Sequence, residues 1–409
     1  MRIVKLLFGL LLLTIISGCE GFFGEETDLS FIDKPEYQGR EVAYVPIQPV
    51  LSGFVKPTQV VTGFDELLYV VDEGTGQIVS FDLSGRELDR VSVKGLKSIA
   101  QDRAFDILAI GTYDTSFQDP KDTSQLVSLT LSCVYRINQK RGSALSLSFG
   151  TPEAVIIHPY YLGFKTASES DEAISFTGVA TLSDNSYYLT RTGPSNNPLQ
   201  LGGPDDAVLS VIPDLNGVQD KRISPIAVQT GAGFENDYFS MPSSITTLSQ
   251  PPQDPAVSSS KDFIYTSINP DLALKVQYIK YEETLDGGIY SLKEMASSDT
   301  SKADGFLYDP GKFATPEGVT YAGDRTNYIF VVDATKDSLY QFTNEGYEGA
   351  NPPPFSANRK QIQVSFGGNG LGLNQFNKPM GVAYFKKIVY VADAGNGRVL
   401  RFKLTSDFE

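Results

Sequence analysis

The chain has 409 residues, 41% of them hydrophobic and 20% charged, which excludes a disordered chain and a small disulfide-stapled domain. Its 34 basic and 49 acidic residues give a net charge of −15 with no basic cluster, which argues against a nucleic-acid partner. The chain has a single histidine, His158, so it cannot form a site that needs several imidazole groups. We interpret His158 as a residue at the end of a strand or in a loop.

The first residues are typical of an exported protein. Arg2 and Lys5 precede an apolar run, residues 6–16, that is too short to span a bilayer, so residues 1–18 are predicted to be a signal peptide. Its end, Ile16-Ser17-Gly18-Cys19, resembles a bacterial lipobox, which implies lipid attachment at Cys19. Removal of residues 1–18 takes away two cations and leaves a net charge of −17, so we expect acyl chains to hold the protein at the membrane.

The segment after the lipobox is predicted to be a tether. Residues 19–40 are acidic, rich in turn formers and without periodicity. Glu20 differs from the aspartate that retains many lipoproteins in the inner membrane, so the resemblance implies the bacterial outer membrane, on its periplasmic side or at the cell surface. With Cys19 modified, Cys133 has no partner cysteine and is predicted to be a small buried strand residue.

A repeated unit accounts for residues 41–409, which we predict to be one domain. Each clear copy has Pro-x-x-Val, a short turn, a strand that ends in aspartate, a polar turn, and a strand that ends in phenylalanine. The interval from the aspartate to the phenylalanine is nine residues in all three copies: Asp72 to Phe81, Asp333 to Phe342, and Asp393 to Phe402. Weaker copies begin at Leu96, Phe176 and Met241.

The YVADA and GNGRV runs of the last copy resemble NHL repeats, which form the blades of β-propellers. The resemblance implies an all-β, six-bladed, NHL-like propeller. The last copy ends at Leu404, one strand short of a blade, and the extended segment from Glu41 is expected to supply that strand and close the ring. The 80-residue step from Ile99 to Val179 leaves a seventh blade open, because residues 153–162 are strand-like.

The polar residues of the repeat are candidates for structural or metal-binding roles. Asp72, Asp333 and Asp393 end the second strands, where an aspartate accepts hydrogen bonds from the N–H groups of the next turn, so we assign them to the repeat turns. Glu317 is expected at the central channel. Its counterparts are taken to be a set poor in metal ligands: Thr58, Ser98, Gly178, Ser243 and Met380. The sequence therefore predicts no catalytic residue, no metal and no cofactor.

The predicted function is a lipid-anchored, non-catalytic scaffold, such as an accessory subunit of a membrane-protein complex, that binds an envelope or outer-membrane protein. Insertions at residues 113–124, 193–206 and 250–261 are expected on one rim of the propeller. The predicted partner contacts near this rim are aromatic: Tyr113, Phe117, Tyr187 and Tyr188. Two alternatives stay open, a calcium-dependent hydrolase or lactonase-type propeller enzyme and a surface glycan-binding lipoprotein.

Overall fold

A computed structural model describes residues 42–118, 124–141, 147–213, 220–254, 256–285, 287–353 and 359–408. The predicted signal peptide, Cys19 and the tether lie outside these residues. The described part is built of β-strands, and its helices are single 3₁₀ turns at Tyr160–Leu162, Glu169–Ala173, Ala394–Asn396 and Thr405–Asp407. None of the helices in the described part has the length and apolar character needed to cross a membrane.

The described chain starts with two short strands, β1 (Tyr44–Pro46) and β2 (Leu51–Ser52), and continues into consecutive antiparallel sheets that form the blades. Blade 1 contains β3 (Pro57–Thr62), β4 (Leu68–Asp72), β5 (Gln77–Phe81) and β6 (Glu87–Ser92). Blade 2 contains β7 (Ser98–Gln101), β8 (Ile107–Gln118), β9 (Leu126–Ile137) and β12 (Glu153–Ile157). Between β9 and β12 the chain forms a separate hairpin of β10 (Gln139–Arg141) and β11 (Leu147–Phe149). Blade 3 contains β13 (Ser175–Thr181), β14 (Tyr187–Thr192), β15 (Ala207–Pro213) and β16 (Asp220–Pro225).

The second half of the chain repeats this arrangement. Blade 4 has β17 (Val228–Thr230) and β18 (Gly233–Glu235) added outside β19 (Pro242–Thr247), β20 (Phe263–Ser267), β21 (Val276–Thr284) and β22 (Gly287–Leu292). Blade 5 contains β23 (Pro316–Tyr321), β24 (Ile329–Asp333), β25 (Ser338–Phe342) and β26 (Phe366–Gly367). Blade 6 contains β27 (Pro379–Phe385), β28 (Ile388–Asp393) and β29 (Arg398–Leu404) and is completed by β1.

The blades form a closed ring around a central channel. The first strand of each blade contacts the first strand of the next, in the cycle β3, β7, β13, β19, β23, β27 and back to β3. Second strands such as β4 and β24 are buried along their whole length because each blade packs between two neighbours. We call the face where the first strands begin, and where second strands turn into third strands, the front face. The opposite face, where first strands turn into second strands, is the back face.

The N-terminal strand closes the ring, as predicted. Strand β1 pairs antiparallel with β29, with Tyr44 opposite Leu404 and Pro46 opposite Phe402, and Leu51 of β2 lies opposite Val399. The Tyr44 hydroxyl also donates a hydrogen bond of 2.6 Å to Gln341 in blade 5. The pairing protects the β29 edge and joins the two ends of the described chain.

The segment that left a seventh blade open is the outer strand of blade 2. Strand β12 pairs with β9, with Ile157 opposite Cys133, so the described chain forms six blades. Cys133 is fully buried in β9, as predicted, and burial raises the pKa of its thiol to about 12. His158 follows β12 directly and is also buried. Burial and the nearby Arg191 lower the pKa of His158 to about 4, against an opposing effect of Asp171.

The three long insertions do not share one rim. Residues 113–118 belong to β8, which extends from the front face, and residues 193–206 join a second strand to a third and also lie there. Residues 250–261 instead join the first strand of blade 4 to its second, which places them on the back face. The prediction failed because the proline-rich composition of this insertion marks a connection without showing which two strands it connects.

Candidate functional site

A β-bulge aims one residue of nearly every first strand into the front mouth of the channel. In four blades the register shifts directly after the first residue of the strand, and in blade 3 it shifts after the second. Each shift leaves one residue unpaired: Thr58, Thr177, Ser243, Glu317 and Met380. In blade 2 the same position, two residues before Ile99, is Lys97, whose N–H donates to the Ile110 carbonyl. All six residues line one cavity.

This cavity, the front funnel, is the candidate site. Its volume is about 250 Å³, which suits a molecule smaller than a typical drug. Besides the six bulge-position residues, polar side chains from four blades line it: Gln59, Glu73, Ser98, Thr192 and Ser244. The remaining wall is apolar and comes from Met241, Pro242 and Ile268 of blade 4. The funnel therefore combines several hydroxyl groups with a few charged ones.

The sequence comparison identified four of the six bulge-position residues and missed two. The counterparts of Glu317 in blades 2 and 3 are Lys97 and Thr177, whereas Ser98 and Gly178 were expected. Counting two residues back from Ile99 and Val179 gives the correct positions. Blade 2 has no proline at the start of its first strand, so its register was harder to see in the sequence. The correction brings a cation into the funnel.

Two hydroxyl groups of the bulge-position residues donate hydrogen bonds to the next blade, and a third hydroxyl group has no partner. Thr177 donates a hydrogen bond of 2.7 Å to the Pro242 carbonyl, and Ser243 donates one of 3.0 Å to the Pro316 carbonyl. The equivalent hydroxyl of Thr58 is buried and makes no hydrogen bond within the described structure. A buried hydroxyl without a partner is unfavourable, and a ligand in the funnel would satisfy it.

Glu317 is the second unpartnered polar group of the funnel. Within the described residues its carboxyl group makes no hydrogen bond and no ion pair, whereas Glu73 at the rim is paired with Lys56 at 2.5 Å. Burial raises the pKa of Glu317. Lys56 opposes this effect, and Asp333 and Glu73 add to it. A partly buried carboxyl group with a raised pKa in a cavity is a functional-site candidate.

The three repeat aspartates have a structural role, because each accepts hydrogen bonds from nearby turns and connections. Asp72 accepts hydrogen bonds from the N–H groups of Val55 and Lys56, at 3.1 and 2.7 Å. Asp333 accepts from four N–H groups, those of Ala314, Thr315, Thr335 and Lys336. Asp393 accepts from the Asn377 N–H and from the side chains of Asn396 and Arg398. All three are fully buried, and no group of three or more metal-ligating side chains occurs in the described part.

The predicted aromatic partner contacts are mostly not at the surface. Tyr187 and Tyr188 are fully buried, and the Tyr188 hydroxyl donates to the Lys261 carbonyl, so these two predictions are wrong. Phe117 is partly buried against the core under β8 and β9, and Tyr113 alone of the four is exposed. Alternate residues of a strand point to opposite faces of the sheet, and in a propeller both faces pack against neighbouring blades. The alternation in the sequence therefore did not show that both tyrosines are buried.

Four of the five most exposed large apolar side chains in the described part are leucines of the front face. Leu199 and Leu201 lie on a connection of blade 3, Leu371 lies on the connection into blade 6, and Leu126 begins β9 in blade 2. Their side chains are between 69% and 90% exposed. An apolar residue inside an otherwise polar loop is the sequence signal that was available and overlooked.

Comparison with known proteins finds solved structures that are similar at low sequence identity. No protein-family model and no curated protein matches the chain. Among solved structures, a luciferin-regenerating enzyme is 9% identical over 88% of this chain and 95% of its own, with a TM-score of 0.49. An auxiliary nutrient binding protein from Bacteroides ovatus is 12% identical over 89% and 77%, with a TM-score of 0.49. Virginiamycin B lyase from Staphylococcus aureus is 9% identical over 89% and 99%, with a TM-score of 0.42.

These similarities correct one prediction. We expected a chain that is not an enzyme, partly because a propeller can serve as a rigid binding platform. The similar structures include enzymes, the luciferin-regenerating enzyme and virginiamycin B lyase, alongside a nutrient binding protein. The expectation of a non-catalytic chain is therefore wrong as an inference from this architecture, because function is decided by the site and not by the fold.

Proposed function

We propose that the front funnel binds a small zwitterionic molecule, with its anionic group at Lys97 and its cationic group at Glu317. In the ring of six blades, blades 2 and 5 are three steps apart in either direction, so these two residues stand on opposite sides of the channel. Neither side chain has an ion-pair partner in the described structure, and both line the funnel. This opposed pair of free charges is the observation that carries the proposal.

The remaining polar groups of the funnel support the same ligand class. The Thr58 hydroxyl would gain the hydrogen bond that it lacks, and the Ser98 and Ser244 side chains face the same space. Glu73 at the rim is already neutralised by Lys56, so it does not change the balance of one free cation and one free anion. The raised pKa of Glu317 also favours a second candidate activity at this site, in which Glu317 donates a proton to a bound substrate.

Calorimetric titration of the purified full-length protein with β-alanine, 4-aminobutanoate and 6-aminohexanoate tests the proposal. We expect at least one of them to bind, and butanoate and butylamine, which carry a single charge, to bind at least about tenfold more weakly. Lys97→Gln and Glu317→Gln should each weaken binding by a similar factor. Lys280→Gln and Glu282→Gln, which break an exposed pair on β21, are the matched controls. Equal binding of singly charged probes, or unchanged affinity in both funnel variants, would contradict the proposal.

We also propose that the exposed leucines of the front face contact a protein partner in the cell envelope. Leu199 and Leu201 lie on the blade 3 connection and Leu371 on the connection into blade 6, so apolar groups are exposed on the same face as the funnel. Leu199→Ser with Leu371→Ser should remove a partner that co-purifies with the wild-type protein. Leu285→Ser, at an exposed leucine on the back face, should retain it. Retention by the front-face variant would contradict this role.

The predicted attachment to the membrane is kept as part of the proposal. The N-terminal sequence supports lipidation of Cys19, a tether over residues 19–40, and a position at the bacterial outer membrane, and the repeat pattern supports an NHL-like blade. A Cys19→Ser variant should move from the membrane fraction to the soluble fraction. A Cys133→Ser variant, at a buried thiol, should stay with the membrane. Membrane association of the Cys19→Ser variant would contradict lipid anchoring.

A further inference from the structure

A second cavity, which we call the back pocket, lies on the back face away from the funnel. Its volume is about 190 Å³. The turns between first and second strands of blades 1, 2 and 6 and the long connection of blade 4 supply its walls: Phe64, Glu66, Arg103, Phe105, Pro251, Pro252, Gln253 and Phe385. Three aromatic rings, two prolines and one guanidinium group thus meet in one small space.

The guanidinium group of Arg103 has a free donor in this pocket. Its Nη1 atom is buried and makes no hydrogen bond within the described structure. The group lies over the Phe64 ring, 4.8 Å from the ring centroid. The backbone N–H of Arg103 donates to the Asn185 side chain at 2.9 Å, which ties this turn to blade 3. A buried guanidinium donor without an acceptor is unfavourable, and an anion is its natural partner.

Phe105 occupies a position that does not suit an aromatic residue. Glu66, Phe105 and Asn185 stand at the same place in the turns of blades 1, 2 and 3, where each N–H donates to the carbonyl three residues earlier. Their φ angles are all positive, at 62°, 68° and 65°. Asparagine tolerates this conformation well, whereas a bulky side chain does so at a cost. The Phe105 ring is 42% exposed, so core packing does not explain its presence.

The charge of the back pocket favours an anion. Glu66, its acidic lining residue, is already paired with Lys386 at 2.6 Å. Arg103 has no ion pair among the described residues, so one positive charge is left without a partner. Gln253 is the one other polar residue that lines the pocket, and its side-chain amide already donates to the Leu248 and Gln250 carbonyls. The remaining lining residues are apolar, and Phe385 and Pro251 among them are buried. A ligand for this space therefore needs one negative group and an otherwise apolar body.

We propose that the back pocket binds a small organic carboxylate with a flat apolar body. The carboxylate accepts hydrogen bonds from the Arg103 guanidinium, and the body packs against the Phe105 ring and the Pro251-Pro252 pair. This site is separate from the funnel and independent of the function proposed for the funnel. Its ligand differs from the zwitterion in having no cationic group, because the back pocket offers no free carboxylate.

Titration of the full-length protein with benzoate tests this inference, with benzyl alcohol as the uncharged counterpart. Benzoate should bind the wild-type protein, and benzyl alcohol should bind at least about tenfold more weakly. Arg103→Gln should weaken benzoate binding by roughly tenfold to a hundredfold. Arg86→Gln removes the same charge from an exposed turn of blade 1 and should leave affinity unchanged. No binding of benzoate, or equal loss in Arg86→Gln, would overturn the proposal.

A Phe105→Asn variant separates binding from folding. Because asparagine accepts the positive φ angle, the variant should have an unchanged or higher melting temperature. It should nevertheless bind benzoate several-fold more weakly, since the ring that covers the ligand is gone. A lower melting temperature combined with unchanged benzoate affinity would show that Phe105 serves the fold, and the proposal would be wrong.

Discussion

Lys97 and Glu317 occupy the same bulge position in blades 2 and 5, which are opposite blades of the ring. Both residues line the funnel, Glu317 at a β-bulge and Lys97 at the equivalent position just before β7, so the two free charges share one cavity of about 250 Å³. The fold thus supplies six equivalent positions around the channel, and the sequence at these positions decides what the funnel binds.

The partly buried carboxyl group of Glu317 should make stability depend on pH. Its pKa is raised in the native state, so the native protein holds this proton more tightly than the unfolded chain does. The contribution of protonated Glu317 to the free energy of unfolding is therefore fully present below about pH 4.3, the usual pKa of glutamate. It is lost as the pH rises through the pKa of Glu317 in the native protein. Glu317→Gln should remove this loss, so urea unfolding should find the variant more stable than wild type at neutral pH. A variant whose stability follows the wild-type pH curve would contradict this assignment.

Asp333 should be essential to the repeat turn of blade 5. Four backbone N–H groups donate to its buried carboxylate, and an alanine would leave them without an acceptor. Asp333→Ala should lower the free energy of unfolding by roughly 2 to 4 kcal/mol. Asp254→Ala, at an exposed carboxylate, should change it by less than about 0.5 kcal/mol. Similar effects of the two substitutions, measured by urea denaturation, would show that the hydrogen bonds of Asp333 contribute little.

Ring closure by the N-terminal strand can be tested with a cross-link. Val45 of β1 lies opposite Lys403 of β29. In a Cys19→Ser background, Val45→Cys with Lys403→Cys should form a disulfide and raise the melting temperature, because it locks the two ends of the ring together. The buried thiol of Cys133 does not compete. Val45→Cys with Ser338→Cys, in blade 5, should not cross-link, and cross-linking there at the same rate would contradict the observed pairing.

His158 should weaken the fold as the pH falls. Its native pKa is about 4, and that of an exposed histidine is about 6.5, so the unfolded chain takes up the proton first. The contribution of neutral His158 to the free energy of unfolding is therefore fully present above about pH 6.5. It is lost between about pH 6.5 and 4, and the loss amounts to at most about 3 kcal/mol. His158→Gln should flatten this part of the stability curve. An unchanged slope in urea unfolding between these pH values would mean that His158 is not the group responsible.

The architecture was predictable from the sequence because the Asp-to-Phe interval repeats in blades 1, 5 and 6, and closure followed from the missing strand after Leu404. The site was less predictable. Lys97 was overlooked because the first strand of blade 2 lacks the proline that begins the first strand of blades 1, 4, 5 and 6. Burial of Tyr187 and Tyr188 depends on packing between blades, which strand periodicity does not show. The back pocket depends on turns far apart in the sequence, and only their φ angles reveal that Phe105 is out of place.

An exchange of the two funnel charges tests whether Lys97 and Glu317 bind a zwitterion between them. Lys97→Glu and Glu317→Lys should each abolish binding of the ω-amino carboxylate that the wild-type protein binds most tightly, because each leaves two like charges facing one another. The double variant should restore binding to within about tenfold of wild type, because the ligand can bind in the reversed direction. Calorimetric titration of the four proteins measures this directly. A double variant that binds no better than either single variant, or a wild-type protein that binds none of these probes, would contradict the proposed role of the funnel.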